Sequence, residues 1–327
     1  MAHNSQQPQF QTLNKGYNSV FKLGSLSVGL VVPIESYPTQ NSPSMRHHLE
    51  RVKLAEKLGF SAVWLRDVPF NVPSFGDAGQ LFDPFTYLGF LAAQTSEIAL
   101  GVASIVLPLR HPAHVAKSAA SVDVLSQGRL LLGVASGDRP QEYPAMQLQY
   151  ENRGERFAQS VDYIRQMQTS NPVFKSDYGQ FNGEIDMLPK ATSGKIPLLI
   201  TGQSQQSDEW IAQHADGRML YPHKVELQRQ LIGTWQQQLA ALGRGPQPVM
   251  QPLYFDLAGD NEAPSPSPLH LGFRASTEYL VNYLMQLEQA GVNHVALNLR
   301  FNQADITDTL HLLAENVLPH FRNNHYE

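Results

Sequence analysis

The sequence predicts an α/β fold, a (β/α)8 barrel with insertions in the loops of its C-terminal face. A succession of helix, glycine and strand recurs along the 327 residues, with the glycine at Gly59, Gly128, Gly217 and Gly291. Glycine is common just past a helix because it adopts the left-handed conformation cheaply. The strands read as near-continuous apolar runs, which is typical of parallel sheets buried on both faces. A doubly wound open sheet is the alternative.

The predicted strands and helices alternate eight times. The strands cover residues 26–34, 61–67, 98–107, 129–136, 197–202, 218–222, 249–258 and 293–300. The helices cover residues 44–58, 84–96, 112–127, 152–168, 205–215, 224–242, 276–290 and 304–321. Three helix starts carry proline at the first helical position, where its missing N–H is not needed: Ser42-Pro43, Asp83-Pro84 and His111-Pro112.

The domain organisation expected from this pattern is a single barrel domain over residues 1–327, preceded by a polar N-terminal extension, residues 1–22. Three long connections follow strands, at residues 68–83, 138–151 and 259–275. In a barrel these loops lie on the C-terminal face, where barrel enzymes hold their sites. The segment 169–195 follows a helix instead and is expected to form a small hairpin.

Composition argues against several classes of protein. Lys and Arg number 24 against 29 Asp and Glu, a net charge of −5, so nucleic acid is not expected as a partner. No run of eighteen apolar residues and no apolar leader is present, which predicts a cytoplasmic protein without a membrane span. Cysteine is absent, so disulfides and thiolate sites are excluded.

Metal and hydrolase chemistry also find little support. His47 and His48 are adjacent on a predicted helix and face different directions, whereas His111 and His114 share a face without an acidic partner at ligand spacing. No metal site is therefore expected. No G-x-S-x-G elbow is present to anchor a hydrolase triad.

Two neighbouring strands end in small residues, in the runs "GVASIVL" and "GVASGD". These place Ala103, Ser104, Ala135, Ser136 and Gly137 near the C-terminal rim. Small residues at a strand end allow another group to approach the backbone closely. Either they fill a tapering barrel interior, or a flat ring lies against them.

The run "PLLITGQSQQSDEW" ends a strand at Thr201-Gly202 and begins a helix near Ser204. Backbone N–H groups at a helix start, together with the helix dipole, favour an anion there. The hydroxyls of Ser204 and Ser207 would add donors. The alternative is ordinary capping of the helix by Ser204 or Ser207.

Charged residues also follow the strand ends. Asp67, Asp138 and Glu142 are candidate acids or bases, or simply caps of their loops. Arg66 and Arg110 could bind an anionic substrate or cofactor, or form surface ion pairs.

Residues 26–320 resemble the bacterial luciferase-like family of flavin-dependent monooxygenases and deazaflavin-dependent oxidoreductases. The most specific match is "IALGVASIVLPLRHPAHVAKSAASVDVLSQGRLLLGVASG", residues 98–137, with an L-P-x-x-H-P turn and an S-x-G-R helix exit. The runs "AEKLGFSAVWLRD" and "PLLITGQS" support it with less specificity.

The resemblance implies a flavin across the C-terminal mouth of the barrel. A non-prolyl cis peptide, matched by Ala103-Ser104, would press against the ring, and Ala135, Ser136 and Gly137 would back the polar edge of the ring. The phosphate would lie where the fifth strand leads into its helix. The matching residues there are Thr201, Gly202, Gln203, Ser204 and Ser207.

The sequence also departs from luciferase itself. Luciferases carry a histidine just after the second strand, where this chain has Val68 and Pro69, and an arginine at the position of Ser136. Light emission is therefore not expected. The phosphate charge would have to be met by helix N–H groups, hydroxyls or another arginine.

The resemblance implies an FMN-dependent monooxygenase that uses reduced flavin and dioxygen on a small organic substrate. Asp67 is then the candidate acid or base, and Ser136 the residue at the ring edge. A flavin reductase could supply the reduced flavin, and a homodimer is expected. The alternatives are hydride transfer with a deazaflavin, a flavin-binding protein without turnover, and a barrel enzyme without flavin. An aldolase of that last kind is disfavoured because no strand ends in lysine.

Overall fold

The computed structural model describes residues 9–75, 79–259 and 265–321. Its strands are β1 (Ser27–Val31), β2 (Ala62–Leu65), β3 (Ala99–Val106), β4 (Leu130–Ala135), β5 (Val173–Ser176), β6 (Gly179–Asn182), β7 (Leu198–Thr201), β8 (Gly217–Met219), β9 (Val249–Leu257), β10 (Ser267–Leu269), β11 (Gly272–Ala275) and β12 (His294–Asn298). Eight of them are parallel and form a closed ring in the order β1, β2, β3, β4, β7, β8, β9, β12. The barrel prediction is confirmed and the open sheet is excluded, since β12 pairs with β1.

The helices are α1 (Lys15–Val20), α2 (His48–Leu58), α3 (Pro84–Gln94), α4 (Pro112–Leu125), α5 (Glu142–Ala145), α6 (Arg153–Gln166), α7 (Asp208–His214), α8 (Val225–Ala241), α9 (Thr277–Gln289) and α10 (Ile306–Asn316). Each of the eight predicted helices overlaps one that packs around the barrel. None of the helices in the described ranges is both long and apolar enough to cross a membrane.

Two of the three predicted proline starts are confirmed. The Asp83 side chain accepts a hydrogen bond from the Thr86 N–H at 3.0 Å, and His111 Nδ1 accepts one from the Ala113 N–H at 3.2 Å. Both caps satisfy a donor that the first helical turn leaves unpaired.

The helix start predicted at Ser42-Pro43 is wrong. The α2 helix begins at His48, five residues further on. The buried Glu35 carboxylate accepts hydrogen bonds from the Ser44 and Met45 N–H groups, at 2.7 and 3.0 Å. These bonds hold the intervening chain in a turn, and a residue distant from the helix start therefore decides where the helix begins.

The barrel interior is filled by large side chains that lie next to glycines. A Cβ at Gly101 would overlap the six-membered ring of Trp64, so only glycine leaves room for the indole. The indole Nε1–H donates to His294 Nε2 at 2.8 Å, and His294 Nδ1 lies 2.7 Å from Ser27 Oγ. Burial lowers the pKa of His294 to about 3, so the imidazole is neutral and serves packing.

The N-terminal opening of the barrel is sealed by α1. Tyr17, Val20 and Phe21 are buried among the side chains of the barrel interior. The Tyr17 hydroxyl donates to the carbonyl of Asp216 at 2.8 Å, and Asn14 caps the helix at the Tyr17 N–H. Most of the described part of the predicted polar extension is therefore a packed element of the domain.

The insertions lie where the sequence predicts them. The antiparallel pair β5–β6 forms the hairpin expected in 169–195. The segment 259–275, expected as a loop, also contains β10 and β11, and β11 pairs in parallel with residues 254–257 of β9. Residues 260–264 of that segment lie outside the described ranges.

Candidate active site

The tip of β3 turns two small residues toward the barrel mouth. The pairing between β3 and β4 shifts register between Val102 and Ile105, and the half-buried Ala103 and Ser104 lie in the gap. The peptide bond between Ala103 and Ser104 is cis, as the family resemblance implies. Ala103 packs against the side chains of the barrel interior, so this tip faces the axis of the barrel.

The tips of β3 and β7 are joined across the mouth. Ser104 Oγ forms a short hydrogen bond with Thr201 Oγ1, and Met219 Sδ lies 3.6 Å from Ser104 and 3.2 Å from Thr201. The structure thus places a residue predicted to touch the ring next to the first residue of the predicted phosphate turn.

Packing against neighbouring side chains also explains the small residues at the tip of β4. The backbone of Gly137 has φ +78°, and a Cβ there would lie 2.6 Å from Val106 Cγ1 and 2.9 Å from the Tyr143 hydroxyl. That hydroxyl donates a short hydrogen bond to the carbonyl of Ser136. Ser136 is buried, whereas Ala135 is half-buried. Tyr143 therefore accounts for the small residue at 137, while Ala135 and Gly137 are both half-buried.

The turn between β7 and α7 has an unusual backbone. Gly202, Ser204 and Gln205 all have positive φ, from +45° to +61°. Ser204 Oγ donates to the carbonyl of Thr201 at 2.8 Å, and Ser207 Oγ accepts from the Trp210 N–H at 3.1 Å. The alternative interpretation of Ser207 as the cap of the helix is therefore observed, while the phosphate contacts of both serines stay predictions.

Charges around this turn are mixed. Asp208 and Glu209 lie in the first turn of α7, where they disfavour an anion. The buried Arg218 offsets one of them, with Nη1 3.2 Å from Asp208 and Nη2 donating to the carbonyl of Gly202 at 3.0 Å. Exposed Gln203 lies beside the same guanidinium, with Oε1 3.4 Å from Nη2.

The first turn of α6 packs directly on the β7–α7 turn. A Cβ at Gly154 would lie 2.8 Å from the Cβ of Gln205, and Gln206 Nε2 donates to the carbonyl of Gly154 at 2.7 Å. The neighbouring Arg153 lies over the ring of Tyr150, 3.7 Å from its centroid, and its buried Nε has no hydrogen-bond partner. The sequence run "ENRGERF" has the composition of a solvated first turn, so Arg153 was not identifiable from the sequence.

Asp67 is held in place by a cation. Its carboxylate accepts two hydrogen bonds from Arg110, at 2.7 and 3.0 Å, and one from the Val106 N–H at 3.1 Å. Arg110 also pairs with Asp83. These bonds favour a structural role for Asp67 in positioning the end of β3, and its role as acid or base stays a prediction.

A second buried carboxyl lies close by. Glu142 in α5 is 2% exposed, and its Oε1 has no hydrogen-bond partner. Burial raises the pKa of Glu142 to about 7; Asp67 and Asp138 add to this and Arg139 opposes it. Sequence reasoning could place Glu142 after a strand end but could not show that it is buried.

Tyr221 adds a phenol to the mouth. It lies two residues past the end of β8, is 48% exposed, and its ring lies next to Gly202. Burial raises the pKa of the Tyr221 hydroxyl. The negative charge of Asp138 raises it further, and the positive charge of Arg66 lowers it. The position of Tyr221 near the end of the predicted strand 218–222 is the sequence signal that could have identified it.

Two cavities lie away from these residues. One, of about 230 Å³, is at the N-terminal end of the barrel beside Lys22 and Ser25; the other, of about 330 Å³, lies between Glu35 and Asp305. Neither is lined by a residue of the predicted site. In the part of the chain that the structure describes, no three His, Asp or Glu side chains are grouped to hold a metal ion.

The family model for luciferase-like monooxygenases matches residues 26–264 of this sequence. The chain belongs to this family. The match includes the tips of β3 and β4 and the turn after β7, and it assigns the chain to a family of oxidoreductases.

Individual relatives agree with this assignment. The oxygenase component of the flavin-dependent trigonelline monooxygenase of Acinetobacter baylyi is 30% identical over 166 residues, which cover 50% of this chain and 42% of that protein. The chain spans less than two thirds of the length of the curated relatives it matches.

Two solved structures share the fold of this chain. The monooxygenase RslO1 from Streptomyces bottropensis superposes with a TM-score of 0.75 at 20% identity, covering 90% of this chain and 100% of that one. An F420-dependent secondary alcohol dehydrogenase, in complex with an F420-acetone adduct, gives 0.74 at 17% identity, covering 91% and 100%. At these identities the likeness concerns the fold alone.

Proposed function

We propose that this protein is an FMN-dependent monooxygenase that acts on a small organic substrate with reduced flavin and dioxygen. The single observation that carries the proposal is the hydrogen bond between Ser104 and Thr201. It joins the side-chain-poor tip of β3 to the turn after β7, so a planar ring over the tip would have its anionic tail beside that turn.

The residues present fit such a cofactor. A ring would lie over Ala103 and Ala135, which are half-buried and leave no bulk at the mouth. The tail would lie at residues 202–207, with Arg153 as the cation that meets its charge. The buried Nε of Arg153 lacks a partner, and an anion bound at this turn would supply one.

Bound reduced FMN would supply the electrons that activate dioxygen, with one oxygen atom going to the substrate and the other leaving as water. The protein's share is to bind, orient and exclude water. Residues 68–75, 79–83 and 138–151 would wall the mouth, with the exposed Phe70 and Phe75 on the first of them. A reductase in the same cell would deliver the reduced flavin.

Hydride transfer with a deazaflavin is the second candidate. It is favoured by the F420-dependent glucose-6-phosphate dehydrogenase of Amycolatopsis mediterranei, which is 26% identical over 191 residues, covering 55% of this chain and 57% of that protein. The two candidates place a ring at the same tips and differ in the electron acceptor.

Titration with FMN and with F420, oxidised and reduced, tests both candidates. We expect reduced FMN to bind, with dioxygen uptake that a suitable substrate couples to product. Arg153→Gln should weaken FMN binding about 10- to 100-fold, the loss of one charge-assisted contact. The exposed Arg229→Gln on α8 is the matched control and should bind FMN like the wild type.

The double variant Ser204→Ala, Ser207→Ala addresses the hydroxyls in the same titration and should also bind FMN more weakly. Tight F420 binding without FMN binding would replace the first candidate by the second. Binding of neither cofactor would exclude both.

A further inference from the structure

Glu142 is a buried carboxyl group with one oxygen, Oε1, that accepts no hydrogen bond. The residue is 2% exposed, and its ion-pair partner Arg139 has Nη1 3.7 Å from Oε1. That separation is beyond hydrogen-bond distance. A carboxylate buried in this way is costly unless it takes up a proton.

The surroundings of Asp67 and Glu142 differ. Asp67 has three hydrogen bonds, two of them from the cation Arg110, whereas Glu142 has the weaker attraction of a more distant arginine and the repulsion of Asp67 and Asp138. A carboxyl that is poorly solvated and lies near other carboxylates favours its protonated form. The surroundings of Glu142 therefore favour a proton on this residue.

The position of Glu142 links it to the mouth. The next residue, Tyr143, holds the carbonyl of Ser136 and lies against Gly137 at the tip of β4. The guanidinium of Arg139 lies over the ring of Phe75 in the loop after β2, 4.4 Å from its centroid. Glu142 is thus the sequence neighbour of the tyrosine that holds the β4 tip and the ion-pair partner of the arginine that contacts the loop after β2.

We infer that Glu142 is a positioning residue of the mouth. Its protonation state sets the charge beside the β4 tip and the strength of the electrostatic attraction between Glu142 and Arg139. The inference rests on the proposed function, because it assigns the pH dependence of cofactor binding to this carboxyl. The charged and titratable groups around it are Asp67 at the end of β2, Arg110 behind Asp67, and Asp138, Arg139 and Tyr143 in its own loop.

The consequence for binding has a definite sign. At pH 5.5 Glu142 is protonated and neutral. As the pH rises through about 7 it loses the proton, which adds a negative charge beside the mouth and draws Arg139 toward Glu142. Both changes weaken the attraction of the site for an anionic ligand.

The first experiment needs no cofactor. Folded Glu142 binds its proton more tightly than an unfolded glutamate does, so its contribution to stability is present at low pH and is lost as the pH rises through about 7. We therefore expect the unfolding midpoint of Glu142→Gln to rise relative to the wild type between pH 5 and pH 8. The exposed Glu151→Gln, in the same loop, should follow the wild type. A difference between Glu142→Gln and the wild type that does not change with pH would overturn the inference.

The second experiment measures the dissociation constant of reduced FMN from pH 5.5 to 8.5. The ratio of the wild-type constant to that of Glu142→Gln should rise about threefold or more over this range. The ratio cancels titration of the FMN phosphate, which is common to both proteins. A ratio that stays constant while FMN binds would overturn the inference and leave the proposed function standing. If no cofactor binds at any pH, the proposed function fails, and the stability experiment decides on the titrating carboxyl by itself.

A second variant covers the case in which Glu142→Gln does not fold. Arg139→Gln keeps the carboxyl and removes the positive charge that favours its ionised form. The pH at which FMN affinity falls should then move upward from that of the wild type. An unchanged pH profile in Arg139→Gln would contradict the inference.

Discussion

At the scale of single residues, Gly137 is required by both its backbone and its neighbours. Its φ of +78° is in the left-handed region, and a Cβ would meet Val106 and the Tyr143 hydroxyl at less than contact distance. The side chain of any other residue would therefore push Tyr143 away from the carbonyl of Ser136. The tip of β4 depends on this glycine for its shape.

Substitution of Gly137 by alanine should show both costs. We expect Gly137→Ala to lower the free energy of unfolding by about 2–4 kcal/mol, from the left-handed backbone and the overpacking together. Gly243→Ala is the matched control, because Gly243 has φ +69° but open space around it. It should cost about 1–2 kcal/mol for the backbone alone. Equal losses in denaturant unfolding would show that Tyr143 yields without cost.

The two residues at which the sequence was least informative are Arg153 and Glu142. The strand-tip positions follow from the apolar pattern, because the last small residues of a buried strand must reach the rim. Nothing local to Arg153 shows that Gly154 packs on Gln205, and nothing local to Glu142 shows that it is covered. Both facts depend on contacts between segments distant in the sequence.

At the scale of elements, α1 acts as a plug for the N-terminal end of the barrel. The sequence predicts a polar extension over residues 1–22, yet Tyr17, Val20 and, just past the helix, Phe21 are buried among the side chains of the barrel interior. Burial of these three side chains closes an end that would otherwise expose the inner residues of the strands to water.

Loss of the Tyr17 side chain should test this plug. We expect Tyr17→Ala to lower the free energy of unfolding by about 3–5 kcal/mol, as for other large buried aromatic residues. The exposed Leu23→Ala, just past the helix, should change it by less than about 0.5 kcal/mol. Equal, small effects in urea unfolding would mean that α1 is not part of the cooperative domain.

The eight βα units could be predicted because each is encoded locally. Each has an amphipathic stretch followed by an apolar strand, and neighbouring strands pair in sequence order. The glycine exits predicted at Gly59, Gly128 and Gly291 have the positive φ of such exits, whereas the one predicted at Gly217 is wrong, because Gly217 is the first residue of β8. The start of α2 could not be predicted, since Glu35 captures the N–H groups of the turn before it. The strands β10 and β11 could not either, because β11 gains its partners from β9 across a Pro- and Ser-rich segment.

At the scale of the whole molecule, the two ends of the barrel differ in how their side chains fill them. The α1 plug and the network around His294 fill the N-terminal half, while the tips of β3 and β4 end in small residues at the C-terminal mouth. The region that the family model matches contains both of these tips and the turn after β7.

The most direct test is a crystal structure of the protein soaked with FMN. We predict a flavin ring over Ala103 and Ala135 at the C-terminal mouth, with the phosphate at residues 202–207 within hydrogen-bond distance of Arg153. FMN bound instead in the cavity beside Lys22 and Ser25, at the opposite end of the barrel, would contradict the assignment of the site.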